Sequence, residues 1–418
     1  MSVKWTKEQQ QVIDCRDRNI LVSAAAGSGK TAVLVERIIR RITDREHPVD
    51  IDNLLVVTFT KAAAAEMRER ISAAIERECE ANPDDSHLRR QSALVHNAMI
   101  TTIDSFCLFV VRNHFEEIGL DPNFRIADEG EIRLLEQDVL SEVFEQNYAL
   151  EDNEQFFSLI DAYAGKRSDA PVKEMVKSIY HMSLSSPWPN EWIEGLVKPY
   201  RVETQVELVQ TELFLDITDT VRSLLADVRD EMARLYDLAL TPDGPQAYAS
   251  VLKQDLQALE GAAECEDYES LLKFFGGLAF GKLAPVRNFS GNPLKKDTVQ
   301  NGRNGLKKTL EDLKKDYFSI DAKQLLDQLQ RLRPVAEELV RLALAYSEAM
   351  AEGKRKKRIV DFSDIEHFAL QILVDPQTKR PKFVAEEFRA HFAELMVDEY
   401  QDSNQVQEEI IQAISREE

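Results

Sequence analysis

The sequence has few cysteines and no long apolar run. Its four cysteines, Cys15, Cys79, Cys107 and Cys265, stand far apart in 418 residues and form no Cys-x-x-Cys pair. A disulfide framework or a zinc site is therefore not expected, and free thiols are typical of a reducing cytoplasm. No apolar stretch approaches the roughly 20 residues that span a bilayer, and residues 5–18 are too polar for a signal peptide. We expect a cytoplasmic protein that has no membrane partner.

Positive charge is also scarce. Lys and Arg number 52 against 74 Asp and Glu, which gives a formal net charge of −22. A protein that coats duplex nucleic acid without sequence preference usually has a basic surface, so this balance argues against a histone-like role. It leaves open a protein that holds a single strand through a few local contacts, because stacking and local charge decide that kind of binding.

The first part of the chain alternates short apolar runs with helical stretches. Strands are predicted at residues 19–23, 54–59 and 98–103. Helices are predicted at residues 31–42 and from Lys61 onwards. This alternation is typical of an α/β domain with a parallel sheet.

The middle of the chain has a different character. Residues 129–357 are helix-periodic, acidic and poor in strand signals, and residues 276–305 within them predict a loop-bearing segment rich in Gly, Asn, Pro and Lys. The apolar run at 395–397 then returns to the first pattern. We predict one α/β domain in two pieces, residues 1–128 and 358–418, with a mostly helical inserted domain between them.

The strongest local motif is a small-residue loop that follows the first predicted strand and opens a helix. It reads Ala24-Ala25-Ala26-Gly27-Ser28-Gly29-Lys30-Thr31, a Walker A loop with Ala where Gly is usual at the first position. Small residues let backbone N–H groups close around phosphates, and the helix N-terminus adds positive potential. Lys30 is predicted to reach the β- and γ-phosphates of ATP, and the Thr31 hydroxyl to bind Mg²⁺. A glycine-rich turn without a ligand is the structural alternative, which the Lys-Thr pair disfavours.

A pair of carboxylates follows the last predicted strand. Residues 394–402 read Glu-Leu-Met-Val-Asp-Glu-Tyr-Gln-Asp, so the apolar run ends in Asp398 and Glu399. Phosphate-loop enzymes need an acidic residue that holds Mg²⁺ and a residue that positions the attacking water. We expect Asp398 to bind Mg²⁺, directly or through water, and Glu399 to orient and deprotonate the water, with Lys30 as the second catalytic residue. An acidic turn after a buried strand is the alternative.

These motifs have relatives in a known family. The Asp-Glu-Tyr-Gln-Asp segment resembles the second motif of the UvrD/Rep/PcrA branch of superfamily 1 helicases, whose form is Asp-Glu-x-Gln-Asp. Residues 57–68 (Val-Thr-Phe-Thr-Lys-Ala-Ala-Ala-Ala-Glu-Met-Arg), 101–106 (Thr-Thr-Ile-Asp-Ser-Phe) and 360–364 (Val-Asp-Phe-Ser-Asp) match further segments in the order of this branch. The resemblance covers about the first 130 and the last 60 residues. It implies a RecA-like P-loop NTPase domain with a helical insertion, ATP and Mg²⁺ as cofactors, and DNA as substrate.

The resemblance extends the nucleotide site. Trp5 to Ile13 looks like the Q motif of this branch, whose glutamine contacts adenine, and Gln9 holds the matching position. Gln401 of the second motif is expected by the same resemblance to contact the nucleotide. The residues also give a second account of Gln9, because Thr6-x-x-Gln9 fits a capping box in which Thr6 caps a helix and Gln9 reaches back.

The resemblance also implies contacts to single-stranded DNA. In this branch, threonines and backbone groups of the motif at 57–68 hold phosphates while an aromatic ring contacts a base, which makes Thr58, Phe59 and Thr60 the candidates here. Stacking on an aromatic ring is worth about 1–3 kcal/mol per base and tolerates any sequence. Thr102 and Ser105 are the candidates in the next motif. A core position at a strand end is the alternative for Phe59.

Two details favour one group within the branch. Monomeric helicases of the branch usually have His at the position of Asp104, and residues 23–38, from the Walker A loop into its helix, look more like AddA, the helicase–nuclease subunits of bacterial double-strand-break repair and recombination. That resemblance implies a C-terminal nuclease (exonuclease) domain, single-stranded and duplex DNA as partners, and a heterodimer with an AddB-like subunit. The alternatives are a UvrD/PcrA-type monomeric repair helicase and a non-hydrolysing module that binds DNA or a partner.

The chain stops sixteen residues after Asp402. Members of this branch bind ATP between two RecA-like lobes, and arginines of the second lobe stabilise the transferring phosphoryl group. An arginine finger is worth on the order of 10³–10⁵ in rate. We therefore expect an N-terminal fragment that binds nucleotide weakly and hydrolyses it poorly on its own.

Basic residues of the predicted insertion are candidates for contact with duplex DNA, although a solvated helix face is the commoner explanation of such charges. They are Lys295, Lys296, Arg303, Lys307 and Lys308, and the run Lys354 to Arg358 is a candidate on the same grounds.

Overall fold

The structure is a computed structural model that describes residues 4–25, 27–164, 168–286 and 289–416. Ala26, one of the predicted nucleotide-binding residues, lies outside the described residues. The chain forms two compact units. Unit 1 comprises Met1–Asp152, Ala164–Ile193 and Leu342–Glu418, and unit 2 comprises Asn153–Tyr163 and Glu194–Arg341. The predicted domain limits after residues 128 and 357 stay a prediction.

Helices dominate both units. In chain order the described α-helices are α1 (Lys7–Asp14), α2 (Lys30–Ile42), α3 (Lys61–Ala81), α4 (Ser86–Leu94), α5 (Ile103–Asn113), α6 (Glu129–Tyr148), α7 (Glu154–Tyr163), α8 (Ala170–Ser183), α9 (Pro189–Gly195), α10 (Gln205–Val209), α11 (Glu212–Leu240), α12 (Ala249–Glu260), α13 (Tyr268–Gly277), α14 (Pro293–Tyr317), α15 (Ala322–Lys357), α16 (Phe362–Leu373), α17 (Phe383–His391) and α18 (Gln405–Ile414). The strands are β1 (Leu54–Thr58), β2 (Met99–Thr102), β3 (Arg125–Ile126), β4 (Ile359–Val360) and β5 (Glu394–Val397).

A parallel sheet forms the centre of unit 1. Its strand order is β2-β1-β5, and β3 pairs with β4 as a separate parallel ribbon. Every residue of β1 is buried, as expected for a parallel strand covered on both faces. Alternate side chains of β1 point to opposite faces, so Leu55 and Val57 pack with α5, α16, α17 and α18. Leu54 and Val56 pack with α2, α3 and α4 on the other face.

Most of the predicted α/β elements are confirmed, with small shifts at their ends. Strands β1, β2 and β5 and helices α2 and α3 form where the sequence places them. The strand predicted at 19–23 is wrong, since the described structure has no strand there. Leu21 is 82 % exposed, and within the described residues no backbone hydrogen bond joins 19–24 to another segment. A strand needs a neighbour to satisfy its backbone groups, and apolar composition does not supply one.

Unit 2 is helical and has its own core. Helices α11, α12, α13 and α14 contribute most of its buried side chains, and aromatic rings of Tyr268, Phe275 and Phe318 stack at its centre. The Tyr268 hydroxyl donates to the carbonyls of Tyr317 at 2.8 Å and Ile320 at 3.1 Å, which ties α13 to the end of α14. The buried ring thus finds partners for its polar group.

The segment 276–305, predicted to carry a loop, is only partly irregular. The described residues between α13 and α14 have no regular structure, but α14 begins at Pro293 and includes Gly302 and Gly305. Asn292 caps this helix and Pro293 is its first residue, a combination that starts helices efficiently. A Cβ on Gly302 would lie 3.0 Å from Leu235, so the glycine allows α14 to approach α11 closely.

No helix in the described part of the chain combines the length and the apolar character needed to cross a membrane.

Candidate nucleotide and DNA site

The phosphate loop leads into α2 through two left-handed glycines. Gly27 has φ 77° and Gly29 has φ 82°, a region that favours glycine because it lacks a Cβ. Gly29 is the N-cap of α2, and no side chain caps this helix. The first N–H groups of α2 therefore point away from the helix without a side-chain acceptor, which is the arrangement that binds phosphate oxygens.

Lys30 and Thr31 are the first two residues of α2. The Lys30 side chain is exposed, and its Nζ donates to the Ala24 carbonyl at 3.1 Å. This bond folds the lysine back over its own loop. Within the described residues Lys30 forms no ion pair with a carboxylate, so its positive charge is available to an anion that enters the loop.

Gln9 connects α1 to the phosphate loop. Its Oε1 accepts from the Thr6 N–H at 2.9 Å and its own N–H donates to Thr6 Oγ1 at 3.2 Å, so the capping box is confirmed. The Nε2 of Gln9 donates to the Ser28 carbonyl at 3.1 Å. Each end of the amide makes one bond and keeps one further donor or acceptor, which an adenine edge could use. The adenine role stays a prediction.

The carboxylate pair stands at the carboxyl end of β5. The Asp398 N–H donates to the Val57 carbonyl at 2.9 Å, which extends the pairing of β5 with β1 by one residue. Glu399 follows in the left-handed region, with φ 58° and ψ 38°. Such a conformation costs a non-glycine residue roughly 1–2 kcal/mol, and strain of this kind persists only where the surroundings hold it.

A short turn follows the pair. The Asp402 N–H donates to the Glu399 carbonyl at 2.9 Å, and the Ser403 N–H donates to the Tyr400 carbonyl at 3.2 Å. The Tyr400 hydroxyl donates to the Glu408 carboxylate on α18, and this bond raises the pKa of Tyr400. Gln401 is exposed. The turn is thus anchored to α18 while its tip remains open to solvent.

The described residues show no hydrogen bond and no ion pair between the phosphate loop and the carboxylate pair. Among the described residues no hydrogen bond or ion pair joins Lys30 or Thr31 to Asp398 or Glu399. Helix α2 and strand β5 are linked further along, where Arg37 and Arg41 both pair with Glu394 at the start of β5. Arg37 is 7 % exposed and also donates to the Val12 carbonyl, so this pairing joins α1, α2 and β5.

The two predicted DNA motifs meet at one edge of the sheet. Thr58 and Thr102 are register partners in the parallel pair β1–β2, each at the last position of its strand. Both side chains are buried: Thr58 Oγ1 donates to the Thr60 carbonyl at 3.2 Å, and Thr102 Oγ1 caps α5 by accepting from the Ser105 N–H at 3.2 Å. These two hydroxyls therefore hold the backbone that follows each strand, and they are not exposed to a ligand.

Phe59 and Thr60 are more accessible than the two buried threonines. Phe59 is half-buried and belongs to none of the three core clusters of the described residues. Thr60 is exposed and caps α3 through the Ala63 N–H at 3.1 Å. An aromatic ring outside the core beside a helix N-terminus can offer a base a stacking surface and a phosphate a favourable potential.

The N-termini of two helices provide local positive potential in a chain that is acidic overall. Helices α3 and α5 follow β1 and β2 directly, so both begin at the carboxyl edge of the sheet, with partial positive charge there. Asp104 opposes this field from the first turn of α5. Burial raises the pKa of Asp104, and the nearby Lys61 ammonium counteracts that rise.

Two of the basic residues proposed as duplex contacts are buried, and those predictions are wrong. Arg303 is 4 % exposed and its Nε pairs with Asp255 at 2.6 Å inside unit 2. Lys354, also 4 % exposed, pairs with Asp361 at 2.7 Å and Asp364 at 2.9 Å in unit 1. Hydrophobic spacing cannot distinguish such a buried cation from a solvated one. Lys295 and Lys307 form ion pairs with Asp243 and Glu311 nearer the surface.

One polar contact of this region was not predicted from the sequence. Glu366 of α16 accepts hydrogen bonds from Asn404, the N-cap of α18, and from Gln407 in the first turn of that helix. The Asn404-x-x-Gln407 spacing would have predicted the helix start. The position of Glu366 in the sequence gives no indication that its side chain contacts the capping residues of α18.

Comparison with known proteins agrees with these observations. The sequence model of the family described as "UvrD/REP helicase N-terminal domain" matches residues 5–418. A protein of Lachnoclostridium phytofermentans is 43 % identical over 99 % of this chain and 30 % of its own length. Proteins of Geobacillus kaustophilus and Bacillus licheniformis are each 43 % identical over 99 % of the chain and 34 % of their own length. All three are named as ATP-dependent helicase/nuclease subunits.

The chain thus spans about a third of the length of these relatives. The match to the family model nevertheless covers almost every residue of the chain, including all the motifs described above. The resemblance drawn from those motifs is confirmed, and the chain belongs to the UvrD/REP helicase N-terminal domain family.

Proposed function

We propose that this chain is the ATP-binding part of a DNA motor, which binds Mg·ATP and couples its hydrolysis to movement along single-stranded DNA. One observation carries the proposal: Thr102 and Thr58 end β2 and β1, and Asp398 directly follows β5, at the same edge of one parallel sheet. Ligands of parallel α/β sheets bind at the carboxyl ends of the strands. A shared edge lets a change at the nucleotide reach the DNA contacts through β1.

The nucleotide is proposed to bind at the phosphate loop. The uncapped N-terminus of α2 and the ammonium of Lys30 fit the charge and the acceptor oxygens of a triphosphate. In this proposal the backbone of Ala24, Ala25 and residues 27–29 encloses the phosphates, and Gln9 and Gln401 contact the rest of the nucleotide. The Lys30 ammonium has three N–H donors, so it can keep its bond to the Ala24 carbonyl and still donate to phosphate oxygens.

Thr31 and Asp398 are the proposed Mg²⁺ ligands. Bound Mg²⁺ supplies charge that neutralises the phosphates during transfer. The described residues contain no cluster of three or more metal-binding side chains. Two oxygen ligands suit Mg²⁺, which keeps several waters and takes its other ligands from substrate phosphates. Glu399 is proposed to accept the proton of the attacking water from its left-handed position behind Asp398.

The geometry of α2 and β5 supports a single site. Arg37 lies seven residues, about 10 Å, along α2 from Lys30, and its partner Glu394 lies four residues, about 13 Å, along β5 before Asp398. We propose that α2 runs antiparallel to β1 and β5, because its C-terminal end lies near the start of both strands: the Arg41 carbonyl accepts from the Val49 N–H at 3.2 Å, and Arg41 pairs with Glu394. In that orientation Lys30 and Asp398 extend in the same direction from the Arg37–Glu394 pair, which leaves space between them for phosphates and Mg²⁺.

The DNA strand is proposed to cross the edge formed by β1 and β2. Phe59 would stack on a base, while Thr60 and Ser105 and the N-termini of α3 and α5 would face phosphates. Thr58 and Thr102 would support these contacts from their buried positions. Duplex DNA ahead of the strand is a further proposed partner, although Arg303 and Lys354 are not available to it.

The wider assembly is also a proposal. Because the relatives are named as ATP-dependent helicase/nuclease subunits, we propose that the chain is the first part of an AddA-type protein. Such a protein would act in double-strand-break repair and recombination, with an AddB-like partner and a nuclease elsewhere in its longer chain. In this interpretation unit 2 is a helical domain inserted into a RecA-like lobe.

Two other functions remain as alternatives. A UvrD/PcrA-type monomeric repair helicase would have the same motifs, and the names of the relatives favour the helicase–nuclease over it. A module that binds DNA without hydrolysis would keep the fold but would not need Glu399. The strained conformation of Glu399 favours an enzyme, since strain of this kind concentrates at active sites.

The test is nucleotide binding and turnover by the 418-residue chain, with and without single-stranded DNA. We expect Mg·ATP binding that Lys30→Ala weakens at least tenfold, because hydrogen bonds to charged groups contribute about 1.5–3 kcal/mol, together with slow turnover. Lys356→Ala is the matched control, since this exposed lysine pairs with Glu352 far along α15. If the wild type and Lys30→Ala bound Mg·ATP equally well, the proposed nucleotide site would be wrong. Turnover that DNA does not change would favour a non-motor function.

A further inference from the structure

Helix α16 carries a buried carboxylate that neither the nucleotide nor the DNA proposal uses. Glu366 is 8 % exposed. Its Oε1 accepts from Gln407 Nε2 at 2.6 Å, and its Oε2 accepts from Asn404 Nδ2 at 3.2 Å. No lysine or arginine pairs with it among the described residues. Burying a carboxylate costs free energy unless hydrogen bonds offset the lost hydration, and here neutral amides supply those bonds.

The two amides form the capping box of α18. Asn404 Oδ1 accepts from the Gln407 N–H at 2.8 Å, and Gln407 Oε1 accepts from the Asn404 N–H at 3.3 Å. Each amide therefore uses its oxygen on the backbone and its NH₂ group on Glu366. Only a carboxylate offers two acceptors and no donor to a pair of NH₂ groups. A glutamine at position 366 would turn its own NH₂ group toward one of them.

The capping box fixes the far end of the turn that contains Glu399. The near end is fixed by the Asp398 N–H on the Val57 carbonyl, and the middle by the Asp402 N–H on the Glu399 carbonyl. Asn404 follows this turn directly, and its side chain determines where α18 begins. A left-handed Glu399 needs both ends held, because released backbone returns to ordinary conformations.

We propose that Glu366 is a positioning residue for Glu399: by holding both amides of the α18 capping box, it keeps the turn at 399–403 in the shape that aims the Glu399 carboxylate. This inference rests on the proposed hydrolytic function of the site. Helix α16 also packs against α5, which begins at Ile103, directly after Thr102. Burial raises the pKa of Cys107 on α5, and the Glu366 carboxylate raises it further.

The experiment uses four variants of the 418-residue chain: three test Glu366, and the fourth, Glu399→Gln, tests the hydrolytic function. Glu366→Gln breaks one of the two bonds. The double variant Glu366→Gln with Asn404→Asp restores them, because the new glutamine then donates to the new carboxylate and accepts from Gln407 while position 404 still caps α18. Glu409→Gln is the control, since it makes the same chemical change on α18 outside this contact. Hydrogen–deuterium exchange of residues 399–407, the Kd of Mg·ATP, and labelled ATP hydrolysis with the chain in excess are measured.

Glu366→Gln is expected to speed exchange in residues 399–407 at least fivefold and to slow hydrolysis about tenfold, with the Kd of Mg·ATP changed less than twofold. The double variant is expected to recover most of both losses, and Glu409→Gln to behave as the wild type. Unchanged exchange in Glu366→Gln, or faster exchange with unchanged hydrolysis, would overturn the proposal. An equal loss of nucleotide binding would also overturn it and indicate a general structural role.

A Glu399→Gln variant separates this inference from the function on which it rests. If the wild type hydrolyses ATP no faster than Glu399→Gln, the proposed role of Glu399 fails, and with it the positioning role of Glu366. If the wild type is faster and Glu366→Gln is not impaired, the proposed function stands and only the inference about Glu366 fails.

Discussion

Thr58 and Thr102 stand side by side as the last residues of two neighbouring parallel strands. The strand on the other side of β1 ends beside Thr58, where the Asp398 N–H meets the Val57 carbonyl at 2.9 Å. Motifs that are far apart in the sequence thus share one edge, because parallel strands of one sheet end together. In the proposed motor, β1 is the element common to the nucleotide and the DNA contacts.

Phe59→Ala is expected to weaken binding of single-stranded DNA by about 5- to 150-fold, since a stacked base contributes about 1–3 kcal/mol. Stability should change little, because Phe59 lies outside the core clusters of the described residues. The affinity is measured by fluorescence anisotropy with a labelled oligothymidine at fixed salt, because salt alone shifts such affinities.

Phe106→Ala is the matched control for that prediction. Phe106 is a fully buried residue of α5, so its loss should cost about 3–5 kcal/mol of unfolding free energy. A Phe59→Ala chain that unfolds as easily as Phe106→Ala would show that Phe59 is a core residue. The DNA prediction would then be withdrawn.

The sequence predicted three strands of the sheet and the helices α2 and α3 correctly, because each has a clear local pattern. The buried run of β1, the helix from Lys30 and the carboxylates after β5 each have a local signature. The carboxylates after β5 lie beside the end of β1 because the two strands are parallel neighbours. The left-handed backbone of Glu399 could not be predicted, because the turn to Asn404 imposes it and a glutamate does not by itself indicate that conformation.

Other features depend on contacts that a sequence does not show. The apolar segment 19–23 looks like a strand, yet within the described residues nothing pairs with it. Gly302 and Gly305 suggest a loop, yet α14 includes both because Gly302 packs against Leu235. Arg303 looks like a surface cation until its partner, 48 positions away in the sequence, is known.

Arg303→Ala is expected to destabilise unit 2 by about 3–5 kcal/mol, because it leaves the buried Asp255 carboxylate without its cation. Arg303 also donates to the Gly281 carbonyl at 2.7 Å, so the loop before α14 should loosen. Urea unfolding measures the loss. Lys308→Ala, an exposed change on the same helix, should stay within about 0.5 kcal/mol. If Arg303→Ala bound duplex DNA more weakly at unchanged stability, the result would instead support the earlier hypothesis that Arg303 contacts DNA.

Tyr180 should make the chain sensitive to alkaline pH. Burial raises the pKa of Tyr180 to about 12, above its ordinary value of about 10. The folded state therefore keeps this proton after the unfolded state has lost it, so the contribution to stability is complete below pH 10 and is lost as the pH rises from 10 to 12. At pH 11 the loss is about 1.4 kcal/mol.

Tyr180→Phe keeps the ring and removes the titrating group. Urea unfolding at pH 9 and pH 11 is expected to show a steeper decline for the wild type than for Tyr180→Phe, by about 1.4 kcal/mol. Parallel declines in the two proteins would mean that Tyr180 ionises in the folded state as readily as in the unfolded state.

Asp104→Asn is expected to strengthen binding of single-stranded DNA about three- to tenfold at pH 7.5, because it removes a carboxylate from the helix end proposed to face phosphates. Repulsion between such charges near a surface typically costs about 1 kcal/mol, which corresponds to this range. Burial raises the pKa of Asp104, so wild-type affinity should rise as the pH falls toward 5, while that of Asp104→Asn should rise less. Glu66→Gln, an exposed carboxylate on α3 paired with Arg70, is the control. Weaker binding by Asp104→Asn would show that this carboxylate accepts hydrogen bonds from the bases, and its role would then be to select them.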